Sequence, residues 1–190
     1  MSDALLSASG LAAIRGERVL FKAVSVAARA EDAIVLRGAN GAGKTTLLRI
    51  LAGLTRAETG TVVRKGAFHW CAHRLGLKPH ETPRTHLEGW AQAWGAEAPI
   101  ETVLSQIGMK RPADVPARYL SAGQRQRTAL ARLLLQDRPL WLMDEPYAAL
   151  DVDGRSLLLD LMADHRARGG AVIAAIHGDA GFEPSGEVVL

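Results

Sequence analysis

The chain has 190 residues, enough for one compact domain with its own core and at most a small subdomain. Its net charge is only +3 and its basic residues are scattered, which reads as a solvated surface; no nucleic-acid partner is expected, an acidic membrane face or RNA being the lesser reading. No apolar run approaches the roughly 20 residues needed to span a bilayer, MSDALLSASG lacks the basic and apolar regions of a signal peptide, and a lone Cys71 excludes an internal disulfide and suits a reducing compartment.

In chain order, the apolar segments 5–14 and 19–26 have strand character and flank a turn at Arg15-Gly16-Glu17. Residues 33–36 form a short apolar run that ends at a glycine loop, as a buried strand does. Residues 45–52 then read as a helix stopped by Gly53, and 60–65 and 68–72 as two strands separated by Gly66. From Pro79 to Arg118 the character changes, with Pro83, Pro99, Pro112 and Pro116 around helical patches at 85–94 and 100–107. Strand and helix alternate again after Ser121: helix to Gln136, strand 140–143, helix 154–168, strand 171–176. Such alternation argues for an α/β fold with a mostly parallel sheet. We expect a single domain over 1–190, with a core at about 1–78 and 121–190 and a helical subdomain at about 79–120.

Gly38-Ala39-Asn40-Gly41-Ala42-Gly43-Lys44-Thr45 fits the G-x-x-x-x-G-K-[ST] phosphate-loop pattern in its strand-loop-helix setting. The glycines let backbone N–H groups turn toward phosphate oxygens, and the helix start adds partial positive charge. Lys44 is placed to neutralise the β- and γ-phosphates and Thr45 to offer a hydroxyl to Mg²⁺, with Thr46 counted in the same nucleotide-binding set. ATP and Mg²⁺ are thus the expected ligands.

Leu140-Trp141-Leu142-Met143-Asp144-Glu145 is an apolar strand closed by two acids. Ligands of open α/β sheets sit beyond the carboxyl ends of the strands. Asp144 is therefore a candidate Mg²⁺ holder and Glu145 a candidate to polarise an attacking water. A strand that merely ends in solvated acids is the competing reading. Leu120-Ser121-Ala122-Gly123-Gln124 precedes another helix, where a serine and a glycine can form an anion site; Ser121 is equally a good helix cap.

The phosphate loop, the LSAGQ pentapeptide, the DEP strand end, Ala149-Leu150-Asp151 and the late His177 together resemble an ATP-binding cassette (ABC) ATPase over nearly the whole chain. The resemblance implies a phosphate-loop NTPase core carrying N-terminal antiparallel strands and a small helical subdomain. It implies a homodimer of nucleotide-binding domains in the ATP-bound state, Ser121, Gly123 and Gln124 of one copy meeting the nucleotide on the other. Asp151 matches the acid that links the two sites, and His177 matches the histidine that contacts the γ-phosphate; without the resemblance His177 is an ambiguous polar cap. Glu145, His177 and Lys44 are thereby the catalytic candidates.

Three positions depart from the general pattern. Ala122 replaces the first glycine of LSGGQ, which a helix start with negative φ tolerates. His73 stands where most members have a glutamine that touches Mg²⁺, and Arg15 where an aromatic stacks on adenine; a guanidinium plane also stacks on a base. With RGERVLF, LGLKP after His73, the LSAGQ variant and the short stretch after His177, they make the chain similar to the ATPase subunits of the cytochrome c maturation, or haem exporter, complex. That resemblance implies a peripheral subunit on the cytoplasmic face of a bacterial inner membrane. Its partners would be an integral membrane permease and haem-handling maturation proteins, and its ATP hydrolysis would power haem export or release of a haem-loaded chaperone. A different cargo, or a cassette acting on nucleic acid, remains open. Cys71-x-His73 lacks the C-x-x-C-H pattern and is not read as a haem site. Leu87, Trp90, Ala91 and Trp94 share one helical face, read as core with a part available for docking a membrane partner.

Overall fold

The computed structural model describes residues 3–190, so the first two positions of the N-terminal segment read above lie outside the described residues. Eight strands and five α-helices occur among them. Contacts group the chain into two compact units, one of residues 1–70, 138–146 and 161–190, the other of 71–137 and 147–160.

The first unit carries two sheets. In the smaller, β1 (Leu6–Arg15) pairs antiparallel with β2 (Arg18–Ala28) and with β4 (Thr59–Arg64), giving the order β2-β1-β4. Along β1 alternation buries Leu6 with Ala8 and Leu11 with Ala13, and a register shift between Ala8 and Leu11 separates the two pairs. The larger sheet has the order β5-β6-β7-β3-β8, built from β5 (Phe68–Cys71), β6 (Leu140–Asp144), β7 (Ala171–Ala175), β3 (Ala33–Arg37) and β8 (Gly186–Val189). The pairs β3–β7, β6–β7 and β3–β8 are parallel. β6 and β7 are buried at every position, which is why they read as unbroken apolar runs rather than alternating ones. α1 (Lys44–Leu51) adds Leu47, Leu48, Ile50 and Leu51 to one core shared with both sheets. The α/β phosphate-loop architecture expected from the sequence, with N-terminal antiparallel strands, is what the structure shows.

The second unit is helical. α2 (Pro83–Trp94) is started by Thr82, whose hydroxyl accepts from the Thr85 N–H, and Pro83 sits at the first helical position, where its missing N–H costs nothing. α2 therefore begins two residues before the sequence expectation. It packs Leu87 and Ala91 against Val103 and Leu104 of α3 (Ile100–Gln106), against Leu120, and against Ala131 and Leu135. Trp90 and Trp94 are half-buried against that cluster, and the Arg132 guanidinium lies 4.3 Å over the Trp90 ring, so the apolar stripe serves mainly as core. α4 (Ala122–Leu130) stops short of the expected Gln136 and passes into a 3-10 turn over Ala131–Leu134. The Thr128 hydroxyl donates to the Gln124 carbonyl, a back-bond that loosens helices, and Arg132 Nε takes the Ala129 carbonyl. α5 (Val152–Ala167) begins in the second unit and ends in the first. β8 has no counterpart in the sequence reading, and no described helix is long and apolar enough to cross a membrane.

Candidate nucleotide site

The loop between β3 and α1 is shaped by glycines that could not be anything else. Gly43, the residue that opens α1, has φ +113°, and a Cβ there would come within 3.0 Å of the Phe21 ring. Gly38 has φ +141°, and a Cβ on it would lie 2.8 Å from the carbonyl oxygen of Leu190. The loop thus passes directly into the start of a helix, where an anion is favoured. Lys44 is buried, and its ammonium donates to the carbonyls of Gly38 (2.7 Å) and Ala39 (3.1 Å). Those bonds hold a desolvated cation across the mouth of its own loop.

A cavity of about 260 Å³ opens at this point, lined by Arg15, Leu20, Asn40, Gly41, Gly43, Lys44, Thr45, Thr46 and Glu145. Arg15, exposed at the end of β1, reaches the cavity together with Leu20, which the sequence reading did not single out. Ala39 and Ala42 belong to the loop but are not among the lining residues. Thr45 Oγ1 donates to both carboxylate oxygens of Asp144, at 2.9 and 3.1 Å. A hydroxyl and a buried carboxylate side by side are hard oxygen donors suited to Mg²⁺, which takes one or two protein oxygens and completes its shell with phosphate and water. Among the described residues no three His, Cys, Asp or Glu side chains cluster to hold a metal. His73 lies exposed in the bend after β5, within the second unit, whereas Thr45 and Asp144 belong to the first.

Glu145 follows the buried end of β6 and its N–H donates to the Ala175 carbonyl of β7 (3.0 Å). Its own φ is +51°, the left-handed region that side chains other than Gly, Asn and Asp seldom occupy. His177, two residues beyond the end of β7, places Nε2 3.3 Å from Glu145 Oε1. Both groups are partly exposed.

In the second unit, Ser121 is the N-cap of α4. Its Oγ accepts from the Gln124 N–H (3.1 Å), and Gln124 Oε1 accepts from the Ser121 N–H (2.9 Å), a complete capping box. The cap that competed with an anion-site reading is therefore real, yet it uses only acceptor capacity; the serine proton stays available to a ligand. Ala122 occupies the first helical turn, where its Cβ meets no conformational objection. Gly123 has a packing reason as well: a Cβ there would stand 3.0 Å from the carbonyl of Ala149, itself at φ +61°. Asp151 Oδ1 accepts from Arg127 Nη2 (2.6 Å) and from the Gly154 N–H (2.8 Å), and these bonds hold its carboxyl below the usual range. The Arg127–Asp151 pair thus ties α4 to the 149–154 segment, which also comes close to the helix at Gly123.

A glycine phosphate loop following a buried parallel strand, with a lysine inside it and two acids at the end of a strand one removed in the same sheet, defines a nucleotide-binding NTPase domain. The sequence profile described as "ABC transporter" matches residues 21–148. The chain belongs to the ABC transporter family and is one of its ATPase domains. It is 60% identical over 98% of its length, and 96% of the relative's, to the "Cytochrome c biogenesis ATP-binding export protein CcmA" of Hyphomonas neptunium. The protein of the same name from Methylococcus capsulatus is 43% identical over 93% of each chain. In fold it matches a solved ATP-binding subunit of an ABC transporter, with a TM-score of 0.87 at 24% identity, over 98% of this chain and 85% of that one.

Proposed function

We propose that this chain is the ATP-hydrolysing subunit of a bacterial membrane complex for cytochrome c maturation, acting as a single catalytic domain on the cytoplasmic face of the inner membrane. The observation that carries the proposal is the 60% identity, over nearly both full lengths, to a cytochrome c biogenesis export protein. Its membrane partners would be a permease subunit and haem-handling maturation proteins, and the work done would be haem export or release of a haem-loaded chaperone.

The chemistry follows from the first unit. Loop amides and Lys44 would cradle the β- and γ-phosphates, Arg15 and Leu20 would flank the base, and Thr45 and Asp144 would hold Mg²⁺. Bound there, Mg²⁺ would neutralise charge on the phosphate oxygens. Glu145 would accept the proton of a water attacking the γ-phosphorus as the bond to ADP breaks, and His177 would orient that carboxylate and donate toward the γ-phosphate. A second copy would close the site, bringing the Ser121 hydroxyl, Gly123 and Gln124 to the γ-phosphate and Asp151 to the interface. His73 would stand where the family's glutamine touches Mg²⁺ and senses the membrane partner.

Glu145→Gln keeps size and hydrogen bonding but cannot accept the proton, so turnover should fall by about 10²–10⁴ while ATP binding persists and a nucleotide-bound dimer accumulates. Hydrolysis by this variant at the wild-type rate would remove Glu145 from the mechanism. Affinity capture of the chain from native membranes should bring down a permease and cytochrome c maturation proteins; capture of an unrelated permease would sink the assignment of cargo.

A further inference from the structure

Arg37 is the last residue of β3 and stands immediately before Gly38. Its backbone is fixed by β8 and the residue that follows it: Arg37 registers with Val189, and the Leu190 N–H donates to the Arg37 carbonyl (3.0 Å). Its side chain reaches two ways. Nε donates to Glu187 Oε1 of β8 at 3.0 Å, and Nη1 donates to the carbonyl of Gly178, the residue after His177. A rigid guanidinium fork can serve a carboxylate and a carbonyl at once; a lysine ammonium on a flexible stem holds neither direction. Gly178 has φ +69°, is exposed, and a Cβ on it would find nothing within 4 Å, so close packing does not place this peptide. All these residues belong to the first unit.

We propose that Arg37, aimed by Glu187, is a positioning residue for His177: by anchoring the Gly178 carbonyl it sets the point at which the imidazole meets Glu145. The strand that opens the phosphate loop and the segment that carries the histidine are thereby fixed to one guanidinium. This rests on His177 and Glu145 acting in hydrolysis as proposed above.

The test is steady-state ATPase kinetics on the full chain for Arg37→Gln, Glu187→Gln, His177→Ala and the Arg37→Gln/His177→Ala double variant. Small displacements of a reacting group cost up to two orders of magnitude, so Arg37→Gln should lower kcat about tenfold with KM for ATP unchanged. Glu187→Gln, which only weakens the aim of the fork, should cost about threefold and serves if Arg37→Gln folds poorly. Adding Arg37→Gln to His177→Ala should lower turnover no further, because the residue through which it acts is gone. The His177 ring ¹⁵N signals should also move in Arg37→Gln, which a merely stabilising role would not produce. Wild-type turnover or unmoved ring signals in Arg37→Gln, or losses that multiply in the double variant, would overturn the proposal while leaving the site intact. Full turnover in His177→Ala would instead overturn the reading of the site beneath it.

Discussion

Replacing Thr45 by valine tests the centre of the site without changing its shape. The valine methyl fills the space of the hydroxyl, and both side chains are β-branched, so helix propensity barely changes. What is lost is one donor shared between the two oxygens of Asp144, whose residue is only 3% exposed. A hydrogen bond to a charged group contributes about 1.5–3 kcal/mol. Thr45 itself is exposed, so the lower part of the range applies, about 1.5–2 kcal/mol. Unfolding entropy near 2.1 cal/mol/K per residue gives roughly 0.4 kcal/mol/K for a chain of this length, hence a fall in Tm of about 4–5 °C. Thr45→Ser, which restores the donor, should recover most of the loss. The same substitution should weaken Mg²⁺ support of ATP turnover, read as a higher Mg²⁺ concentration for half-maximal rate. Thermal unfolding and a Mg²⁺ titration of the ATPase decide both points. A Tm for Thr45→Val within about 1 °C of the parent, with an unchanged Mg²⁺ dependence, would refute the reasoning.

Burial pushes the Cys71 thiol up to about 11, against a modest opposing pull from Arg132. Alkylation near pH 8 should therefore be about two orders of magnitude slower in the folded chain than in denaturant. Because the folded value lies above the unfolded one, the associated stability is complete below the unfolded pKa and is lost as pH rises through about 11. Asp151 has the opposite sign: Arg127 first, then the Gly154 N–H, lower its pKa, so its contribution is present above the unfolded value and lost as pH falls through the folded one. Asp151→Asn should accordingly lower Tm at neutral pH and converge with the parent as pH falls through the lowered pKa of the folded carboxyl; a gap that stays constant down to acid pH would show that the ion pair is not responsible. For the proposed two-copy site, Lys44→Ala and Ser121→Arg should each be inactive alone. Mixed one to one they should regain turnover from about a quarter of the sites, if copies pair at random with two-fold symmetry. No recovery at any ratio would rule out exchange of Ser121 between copies.

The sequence announced what chemistry repeats in fixed spacing and hid what depends on single contacts. The phosphate loop, the strand that ends in Asp144-Glu145 and the buried runs of β6 and β7 were legible because each is a dense local pattern. β8 was not: Gly186-Glu187-Val188-Val189 is short and alternating, and becomes a strand only because β3 offers it an edge. The early end of α4 was hidden in a threonine back-bond, and the early start of α2 in a proline that looked like a breaker but stands at the first turn. Arg37 carries no motif; its interest arises from Glu187 and Gly178, roughly 150 and 140 residues away along the chain. Gly123 was read for phosphate alone, because the carbonyl of Ala149 that also demands it cannot be seen in sequence.

The left-handed backbone at Glu145 has a consequence for how such a protein decays. Glycine and asparagine sit more comfortably at φ +51° than glutamate does, so mutational drift at this codon meets little structural resistance. Under the hydrolytic role proposed for Glu145, selection for turnover works against that drift. In a lineage that no longer needs hydrolysis, position 145 should therefore be among the first to change, leaving a chain that still folds, still grips nucleotide, and competes with working copies for the same membrane complex.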